Sequence, residues 1–509
     1  MANLYTQLQR GFPREAGRTF AALSDGTTVS YAQLEQASAR YANMLVSLGV
    51  KRGDRVATQA QKSMDMLMLY LGCLRAGAIF LPLNPAYTAG ELEYFMRDAQ
   101  PALVICDPAR AEAVRDLGRA EALARVETMG TCGEGSIPAL AAASAATFAT
   151  VDVDSKDLAA ILYTSGTTGR SKGAMLSHGN LASNAFALKE YWRFTNEDVL
   201  LHALPIFHTH GLFVATNVTL ASGASMIFQP AFDVEKVLAA LPRATVMMGV
   251  PTFYIRLLKE ERLTRDLVVH MRLFISGSAP LSPEIHKEFS VRTGHAILER
   301  YGMTETNMNT SNPYDGRRIA GTVGLPLPGV SIRIADPDTG DILPQGEIGV
   351  IEIAGPNVFQ GYWRMPEKTA AEFRGGYFIS GDLGLIDREG YVSIVGRAKD
   401  LIISGGYNIY PAEVENALDE LKEVRESAVI GVPHPDMGEG IVAVVVPTRA
   451  GDQDDAPLKA ALVHKLAKFK HPRKFAFVDD LPKNTMGKVQ KNALREKYSA
   501  IFSNNVLIY

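Results

Sequence analysis

The chain has 509 residues, of which 47% are hydrophobic and 21% are charged, and its 52 basic and 55 acidic residues give a net charge of −3. Because nucleic-acid binders carry a basic surplus or stripe, this balance argues against a nucleic-acid partner. The length exceeds that of an ordinary single domain and predicts a large unit with a second unit attached.

The first part of the chain alternates helix and strand patterns. Ser30–Gln33 has the sequence of a capping box, and apolar residues at helical spacing follow it as far as Gly49. A second helix is predicted up to about Gly77, and a third after the capping-box sequence Thr88–Glu91. Strands are predicted at 55–59, 78–83, 102–106 and 158–162, and a connecting stretch at 136–157. This alternation predicts crossover units and a mostly parallel sheet.

The segment 199–232 contains no Asp, Glu, Lys or Arg. It includes histidines and prolines and lacks an apolar block of membrane length, so it predicts a buried helix with flanking loops. We expect no membrane partner. The three cysteines, Cys73, Cys106 and Cys132, form no CxxC pair and are typical of reduced thiols in a cytoplasmic protein.

From about residue 400 the pattern changes to short strands around two helices. Strands are predicted at 427–432, 441–446 and 475–478, with helices that start near residues 411 and 457. The predicted fold class is therefore α/β, with a large N-terminal domain of mostly parallel sheets and packed helices, 1–398, and a small mobile α+β C-terminal domain, 399–509. The charged, glycine-containing segment 396–408 is typical of a hinge.

A loop rich in glycine and hydroxyl groups, YTSGTTGRSKGAMLSHGN, occupies residues 163–180. Glycines let backbone N–H groups approach an anion, hydroxyls add donors, and Lys172 adds charge. The loop does not match the pattern G-x-x-x-x-G-K-[ST], since Gly173 follows the lysine. Taken alone, it is as consistent with a surface linker as with an anion site.

Further motifs follow this loop in a fixed order. They are LPIFHTHG (204–211), SGSAPL (276–281), ERYGMTET (299–306), SGD (380–382), GRAKDLIISGGYNIYP (396–411) and PKNTMGKVQK (482–491). Over essentially the whole chain, the series resembles the adenylate-forming superfamily of acyl-CoA synthetases, nonribosomal-peptide adenylation domains and luciferases. Three segments, HALPIFHTHGLFVATNVTL, MGVPTFYIRLL and ERYGMTETNMNTSNPYDG, are most similar to the malonyl-CoA synthetases, also called malonate–CoA ligases.

The resemblance implies an enzyme that ligates malonate, with methylmalonate as a further acid, to coenzyme A. ATP and coenzyme A would be co-substrates, Mg²⁺ the cofactor, malonyl-adenylate the intermediate, and AMP and pyrophosphate the by-products. A short-chain or fatty acyl-CoA synthetase stays open as an alternative. So do a carrier-loading adenylation domain, which the absence of an appended carrier domain disfavours, and an inactive relative that only binds. Measurement of AMP release with each candidate acid would distinguish these hypotheses.

The resemblance also implies the phosphate contacts. The loop would cover the β- and γ-phosphates of ATP, and Thr304 would contact the α-phosphate. Glu305 would hold Mg²⁺ together with Thr164, while phosphate oxygens supply most other ligands, as magnesium prefers. The loop residues expected to contact ATP are Thr164, Ser165, Gly166, Thr167, Thr168, Gly169 and Lys172.

For the nucleoside, the resemblance implies an acidic residue at the ribose. Asp382 would accept the ribose hydroxyls in a charge-assisted pair, and Arg397 would lie near the ribose and phosphate. An ordinary ion pair between structural elements is the alternative for both. The residues expected at the base are Tyr301, Gly302, Ser278 and Ala279.

Lys488, in PKNTMGK, would act as a point charge between the attacking carboxylate and the α-phosphate. Lys399 would be the pivot of the small domain, whose rotation would withdraw Lys488. It would also bring a pantetheine channel into place, since glycine permits close passage of a slender ligand. The residues expected to bind coenzyme A are Ser404, Gly405, Gly406 and Lys470, although a solvated helix end is an equal alternative for Lys470. A lysine acetyltransferase acting on Lys488 is a further expected partner, since acetylation would remove its charge.

His208 and His210, spaced as if to share a strand face, could suggest a metal site. No third ligand stands nearby in the sequence, so zinc is disfavoured. By resemblance, His208 instead lines the acyl pocket.

A dicarboxylate needs a cation in a short pocket, and Arg256 is the candidate. It would bind the distal carboxylate through two hydrogen bonds and be buried. The alternative is a surface i,i+4 pair with Glu260. Thr209, Ser278 and Met308 would line the space around the acid.

Overall fold

The computed structural model describes residues 2–120, 125–164, 171–404, 407–435, 437–449, 451, 453–466, 468–484 and 487–502. Within these residues the strands are β1 (Thr19–Leu23), β2 (Thr28–Ser30), β3 (Arg55–Gln59), β4 (Ile79–Pro82), β5 (Leu103–Cys106), β6 (Arg125–Thr128), β7 (Leu158–Thr164), β8 (Lys172–Ser177), β9 (Val199–His202), β10 (Ser225–Phe228), β11 (Val246–Gly249), β12 (Leu273–Ser276), β13 (Leu298–Met303), β14 (Asn307–Ser311), β15 (Leu325–Pro326), β16 (Ser331–Ala335), β17 (Gly349–Ala354), β18 (Phe373–Arg374), β19 (Tyr377–Ile386), β20 (Val392–Arg397), β21 (Ile402–Ser404), β22 (Tyr407–Ile409), β23 (Val424–His434), β24 (Gly438–Pro447) and β25 (Lys474–Phe477).

The helices are α1 (Leu4–Gln9), α2 (Tyr31–Ser47), α3 (Met64–Ala76), α4 (Ala89–Ala99), α5 (Ala111–Ala120), α6 (Ser136–Ala142), α7 (His178–Tyr191), α8 (Asn217–Ser222), α9 (Val234–Ala240), α10 (Pro251–Leu258), α11 (Arg265–Val268), α12 (Pro283–Thr293), α13 (Pro366–Ala371), α14 (Pro411–Asp419), α15 (Ala456–Lys465) and α16 (Lys491–Tyr498). A π-helical segment, His210–Thr216, leads directly into α8.

Two large sheets carry the predicted crossover units. One has the order β6-β5-β3-β4-β7-β8, and the other has the order β15-β14-β13-β12-β11-β9-β10-β1-β2. Most pairs of both sheets are parallel, as the alternation of strands and helices predicts. The pairs β7–β8, β13–β14, β14–β15 and β1–β2 are antiparallel. The apolar core draws on both sheets and on helices such as α3, where Tyr70 is fully buried, and α7, which ends beside the buried Trp192.

The chain after β15 changes to antiparallel pairing. Strands β16, β17, β19, β18 and β20 form a third sheet, and β22, β21, β24 and β23 form the sheet of the C-terminal part, where β25 is the one parallel addition. The predicted C-terminal strands and the helices α14 and α15 are confirmed, so the overall class is the expected α/β fold with a small α+β unit.

The structure confirms the predicted N-terminal helices and also the residues at which they begin or end. Ser30 and Thr88 form complete capping boxes at the starts of α2 and α4. Gly77, with φ of 72°, ends α3 in the left-handed conformation that glycine adopts without strain.

The prediction that 136–157 is only a connecting stretch is partly wrong. Its first residues form α6, in which Ile137 and Ala141 are buried. Packing of α6 against α2 supplies the stabilisation that its Ala- and Ser-rich sequence does not indicate. Tertiary burial thus overrides a weak local pattern.

The uncharged segment 199–232 does contain the predicted buried helix, formed by the π-helical segment and α8. It also contains two strands, β9 and β10, that lie inside the large sheet and that we did not predict. Across the described ranges, no helix combines the length and the hydropathy that a membrane crossing needs.

The predicted domain boundary at 398/399 falls in a 3₁₀ turn, Ala398–Asp400, between β20 and β21. Beyond it, the small unit contacts the large one through the loop that precedes α16. Gly487, with φ of 76°, faces Thr252 so closely that a Cβ would lie 3.0 Å from the threonine methyl. The loop and the start of α10 are therefore in contact in this conformation.

Candidate active site

Asp382 is the centre of a buried hydrogen-bonded group at the predicted ribose site. It is 3% exposed, and its Oδ1 lies 2.7 Å from the Arg397 Nε. The Tyr301 hydroxyl donates to its Oδ2 at 2.6 Å. The Asp382 charge, the largest cause of the shift, raises the pKa of Arg397. The β19–β20 pairing, which places Asp382 opposite Arg397, fixes this arrangement.

A second group surrounds the predicted phosphate lysine. Lys172 Nζ lies 2.9 Å from Glu372 Oε1 and 4.0 Å from the centre of the Tyr362 ring. The Tyr362 hydroxyl contacts Glu372 Oε2 at 2.6 Å and Glu305 Oε1 at 3.0 Å. Lys368 Nζ also lies 2.9 Å from Glu372 Oε1. Glu372 therefore has two ammonium partners, whereas Glu305 shares with it the single proton of the Tyr362 hydroxyl.

This group suits the predicted magnesium ion. Glu305 is 7% exposed, and burial raises the pKa of its carboxyl. A divalent cation would relieve the cost of that buried charge, and carboxylate oxygen is a ligand that Mg²⁺ accepts. Glu305 and Thr304 occupy the turn between β13 and β14, so the hairpin presents both to the same cleft.

Five of the predicted phosphate-loop residues lie outside the described residues, namely Ser165, Gly166, Thr167, Thr168 and Gly169. The two ends of the loop are described, and Thr164 pairs with Lys172 across the antiparallel strands β7 and β8. The sheet therefore holds the two residues that flank the loop, Thr164 and Lys172, next to each other.

Lys488 reaches the same cleft from the small unit. Its backbone N–H donates to Asn484 Oδ1 at 3.0 Å. Partial desolvation in the cleft, followed by the charge of Arg397, lowers the pKa of Lys488 to about 8. The side chain still reaches solvent, so water offsets part of this shift.

Formation of the acyl-adenylate, the first step that the family resemblance implies, releases pyrophosphate. We expect the rate of this step to fall as pH rises above about 8, because only the protonated Lys488 can neutralise a developing negative charge. The group is charged below its pKa and neutral above it, so the alkaline limb of kcat/KM for pyrophosphate release should follow it. In Lys488→Arg, kcat/KM should no longer fall at alkaline pH, whatever the absolute rate of the variant, because guanidinium stays charged. A limb that is identical in both proteins would assign the titration to another group.

The end of the cleft predicted to receive the acid contains two buried histidines. Burial is the main reason that the pKa of His208 is lowered to about 4 and that of His210 well below its usual range, and nearby Arg300 adds to both. His210 Nδ1 lies 3.2 Å from the Ser278 Oγ. The expectation of a shared strand face is wrong, since His210 begins the π-helical segment. In the described part of the chain, no three His, Cys, Asp or Glu side chains cluster as metal ligands would.

Other residues predicted at the acid and the base fall around this end. Thr209 is 1% exposed, and its hydroxyl has no hydrogen-bond partner among the described residues. Ser278, next to Ala279, has φ of 73°, which places the turn after β12 in a conformation that costs a non-glycine residue free energy. Met308 pairs with Gly302 across β13 and β14, and its methyl group covers the space that a Cβ at Gly302 would take.

Arg256 does not meet the expectation of burial. It lies in α10 and is exposed, and its guanidinium forms no hydrogen bond or ion pair among the described residues. The alternative pair with Glu260 is not formed either, because Glu260 pairs with Arg262. Thr252, one turn earlier on the same face, contacts Gly487, so Arg256 lies at the rim where the two units meet.

The residues predicted for coenzyme A are only partly described. Gly405 and Gly406 lie outside the described residues. Ser404 is buried at the end of β21, and Lys470 Nζ lies 2.5 Å from Glu413 Oε1. Lys399 is exposed in the 3₁₀ turn between the units. Contacts of Ser404 and Lys470 with coenzyme A would thus require a different arrangement of the small unit.

Three residues of the cleft were not predicted from the sequence. Tyr362 and Glu372 belong to no motif that we singled out, and only the fold brings them to Lys172. Arg300 lies inside the motif ERYGMTET, and its position next to Glu299 in an otherwise apolar strand was the available signal.

Comparison with known proteins agrees with this geometry. The model of the AMP-binding enzyme family matches residues 10–363, and that of the AMP-binding enzyme C-terminal domain matches residues 413–488. A feruloyl-CoA synthase from Amycolatopsis sp. is 38% identical over 93% of this chain and 94% of its own. A malonate–CoA ligase from Arabidopsis thaliana is 32% identical over 93% of this chain and 85% of its own.

Among solved structures, ATP-bound MatB from Rhodopseudomonas palustris is 58% identical and has a TM-score of 0.96, with 98% of this chain and 99% of that chain covered. The apo form of the same protein has a TM-score of 0.86. The arrangement of the two units described above is therefore more similar to that of the ATP-bound form.

Proposed function

The chain belongs to the AMP-binding enzyme family and is an adenylate-forming ligase, and from this premise we propose that it joins malonate to coenzyme A. In the proposed reaction, malonate attacks the α-phosphate of ATP to give malonyl-adenylate and pyrophosphate. The thiol of coenzyme A then displaces AMP. Methylmalonate is the second acid that we expect to react.

The first half-reaction brings two anions together, so its catalysis depends on positioned positive charge. We assign Lys488 to the point where the carboxylate meets the α-phosphate, with Thr304 on the same phosphate. Lys172, released from Glu372, would bind the β- and γ-phosphates together with the hairpin loop. Glu305 would hold Mg²⁺, which when bound supplies further positive charge to the phosphate oxygens.

The second half-reaction would use another position of the small domain, here taken as 399–509. Rotation at Lys399 would withdraw Lys488 and admit pantetheine past Gly405 and Gly406, near Ser404. Lys470 would exchange Glu413 for a phosphate of coenzyme A. Because Lys488 is solvent-accessible, an acetyltransferase could reach it, and acetylation would remove the charge on which the first step depends.

One observation carries the choice of malonate. Two of the three segments that resemble malonyl-CoA synthetases, 202–220 and 299–316, come close to each other, because the charge of Arg300 acts on His208 and His210. The third, 248–258, contacts Gly487 at the rim through Thr252. The end of the cleft that contains Arg300 and the two histidines is polar and cationic, as a short dicarboxylate requires. An aromatic or long-chain acid, which the feruloyl-CoA synthase relative makes the second candidate, would need apolar walls here.

The test is a comparison of acids with the purified protein, ATP, Mg²⁺ and free coenzyme A. We expect malonate to give the highest kcat/KM for AMP release, about 100-fold or more above acetate or butyrate, because a site built for a polar group rejects ligands that lack it. Mass spectrometry should show malonyl-CoA. A preference for ferulate or a fatty acid would overturn the proposal, and AMP release without a CoA ester would favour a carrier-loading domain.

A further inference from the structure

Lys62 is a lysine whose amino group lies in the interior without an acidic partner among the described residues. Its Nζ donates to the His202 O at 2.9 Å, lies 3.1 Å from the His202 Nδ1 and is 4.3 Å from the centre of the buried Phe228 ring. Burial lowers the pKa of Lys62 well below its usual range. Removing an amino group from water costs free energy that an apolar side chain would avoid. Stability alone therefore does not explain a lysine at this position.

His202 connects this amino group to the π-helical segment. The histidine ends β9, is fully buried, and has its Nε2 2.9 Å from the Gly211 O. Burial, followed by the charge of Lys62, lowers the pKa of His202 well below its usual range, so the ring is neutral. Because a carbonyl oxygen can only accept, Nε2 carries the ring hydrogen and donates it to Gly211. Nδ1 is then the acceptor for Lys62, and the two bonds together select one tautomer of the ring.

Gly211 is the second residue of the π-helical segment, and its carbonyl is held from two sides. The Thr216 hydroxyl donates to the Gly211 O at 3.0 Å, in addition to the bond from His202. A Cβ at Gly211 would collide with the Pro205 O, so the segment begins in close contact with the loop before it. Single turns of π-helix occur frequently at functional sites. Lys62 and His202 thus act on the first turn of the segment.

The residues just before Gly211 lie at the end of the cleft predicted to receive the acid. His210 is 3.2 Å from the Ser278 Oγ, and the buried Thr209 hydroxyl has no partner among the described residues. His202 is close enough to His210 to contribute to the lowered pKa of that ring. Because Thr209 and His210 directly precede Gly211 along the backbone, a shift of the Gly211 peptide would displace both side chains.

We propose that Lys62 and His202 are positioning residues for the acid substrate. Through the hydrogen bond to the Gly211 O they fix the start of the π-helical segment, and with it the places of Thr209 and His210; neither of them touches the acid. This inference rests on the proposed acid end of the cleft, but not on which acid occupies it. A displacement of about 1 Å at a reacting site can cost about 100-fold in rate, so loss of the hydrogen bond should be measurable in the kinetics.

The test compares KM for malonate with KM for ATP in the wild type and in Lys62→Met/His202→Phe. The double variant replaces both polar partners by apolar groups of similar shape, which can leave stability nearly unchanged. We expect its melting temperature to stay within about 3 °C of the wild-type value. Its KM for malonate should rise about tenfold or more, whereas its KM for ATP should stay within about threefold.

His202→Gln tests whether the hydrogen bond, rather than the ring, is responsible. The glutamine amide can place an N–H near the position of Nε2 and donate it to the Gly211 O. This variant should therefore keep KM for malonate within about threefold of the wild-type value.

His286→Phe is the matched control. The His286 ring is also buried, and its Nε2 lies 2.9 Å from the Ile297 O, but it makes no described hydrogen bond to a residue of the cleft. Its replacement should cost about 1 kcal/mol of stability and leave both KM values unchanged.

An unchanged KM for malonate in the double variant would overturn the proposal. So would equal rises of KM for malonate and for ATP, since the pair would then support the large unit as a whole, and so would a His202→Gln variant as impaired as the double variant. If the double variant does not fold, Lys62→Met alone is measured in the same way and should raise KM for malonate selectively. A wild type that does not use malonate would instead overturn the proposed function, and the same KM comparison with the acid that it does use would still decide the role of Lys62 and His202.

Discussion

Lys488→Ala is expected to abolish pyrophosphate release almost completely, by about 100-fold to 1,000-fold in kcat, because it removes a positioned charge from the site where negative charge develops. The ammonium enters a cleft already crowded by Arg397, whose charge contributes to the lowered pKa of Lys488. Neither Arg397 nor Lys172 is free to replace it, since the first pairs with Asp382 and the second with Glu372.

The same variant should still convert supplied malonyl-adenylate and coenzyme A to the thioester at nearly the wild-type rate. In the proposed second step the small domain has rotated and the lysine has left the cleft. Rapid-quench measurement of each half-reaction separates the two effects. Lys491→Ala is the matched control, because Lys491 Nζ pairs with Glu415 at 2.6 Å and should affect neither half. Equal losses in both half-reactions would contradict the assignment.

The fold was predictable wherever the local sequence carried its own stop and start signals. The capping boxes at Ser30 and Thr88 and the glycine at 77 set helix ends that tertiary packing did not alter. The helix α6 was missed because its stabilisation comes from burial of Ile137 and Ala141 rather than from its own pattern. Strands β9 and β10 were missed because a continuous apolar run does not separate a buried strand from a buried helix.

For the site residues, a motif can indicate which residues lie close together only when it keeps them within one short segment. Thr304 and Glu305 share the turn between β13 and β14. The orientation of an arginine is different, because it depends on which face of its helix or strand the fold buries. Arg256 was predicted to be buried and is exposed. Arg300, which lies in the motif ERYGMTET but was given no role, is buried, and its Nε and Nη2 have no hydrogen-bond partner among the described residues. Only the fold decides which of the two is buried.

Asp382→Ala is expected to impair both half-reactions, in contrast to the lysine variant. If Asp382 binds the ribose, its loss weakens ATP in the first step and the adenylate in the second. The affinity for ATP should fall about 100-fold, which corresponds to the loss of charge-assisted hydrogen bonds of about 3 kcal/mol together. Binding of a non-hydrolysable ATP analogue, measured by calorimetry, gives this value without turnover.

Asp382 also binds two side chains of the protein, so its removal affects stability as well as ATP binding. Its removal leaves Arg397 without its 2.7 Å partner and the Tyr301 hydroxyl without its 2.6 Å acceptor. Breaking a buried pair costs about 3–5 kcal/mol, and we expect the lower end because the Arg397 side chain is 32% exposed. The melting temperature measured without nucleotide reports this loss of stability, and it should be lower for Asp382→Ala than for the wild type.

Tyr301→Phe separates the two roles of Asp382. It removes one hydrogen bond to the carboxylate but leaves the charge and the Arg397 pair, so it should cost about 1 kcal/mol of stability and about fivefold or less in ATP affinity. A ribose-binding Asp382 therefore predicts that ATP raises the melting temperature of the wild type and of Tyr301→Phe, but not that of Asp382→Ala. If ATP protected Asp382→Ala as well as the wild type, the carboxylate would serve only to hold Arg397 and Tyr301 in place, and the ribose hydroxyls would have to bind elsewhere in the cleft.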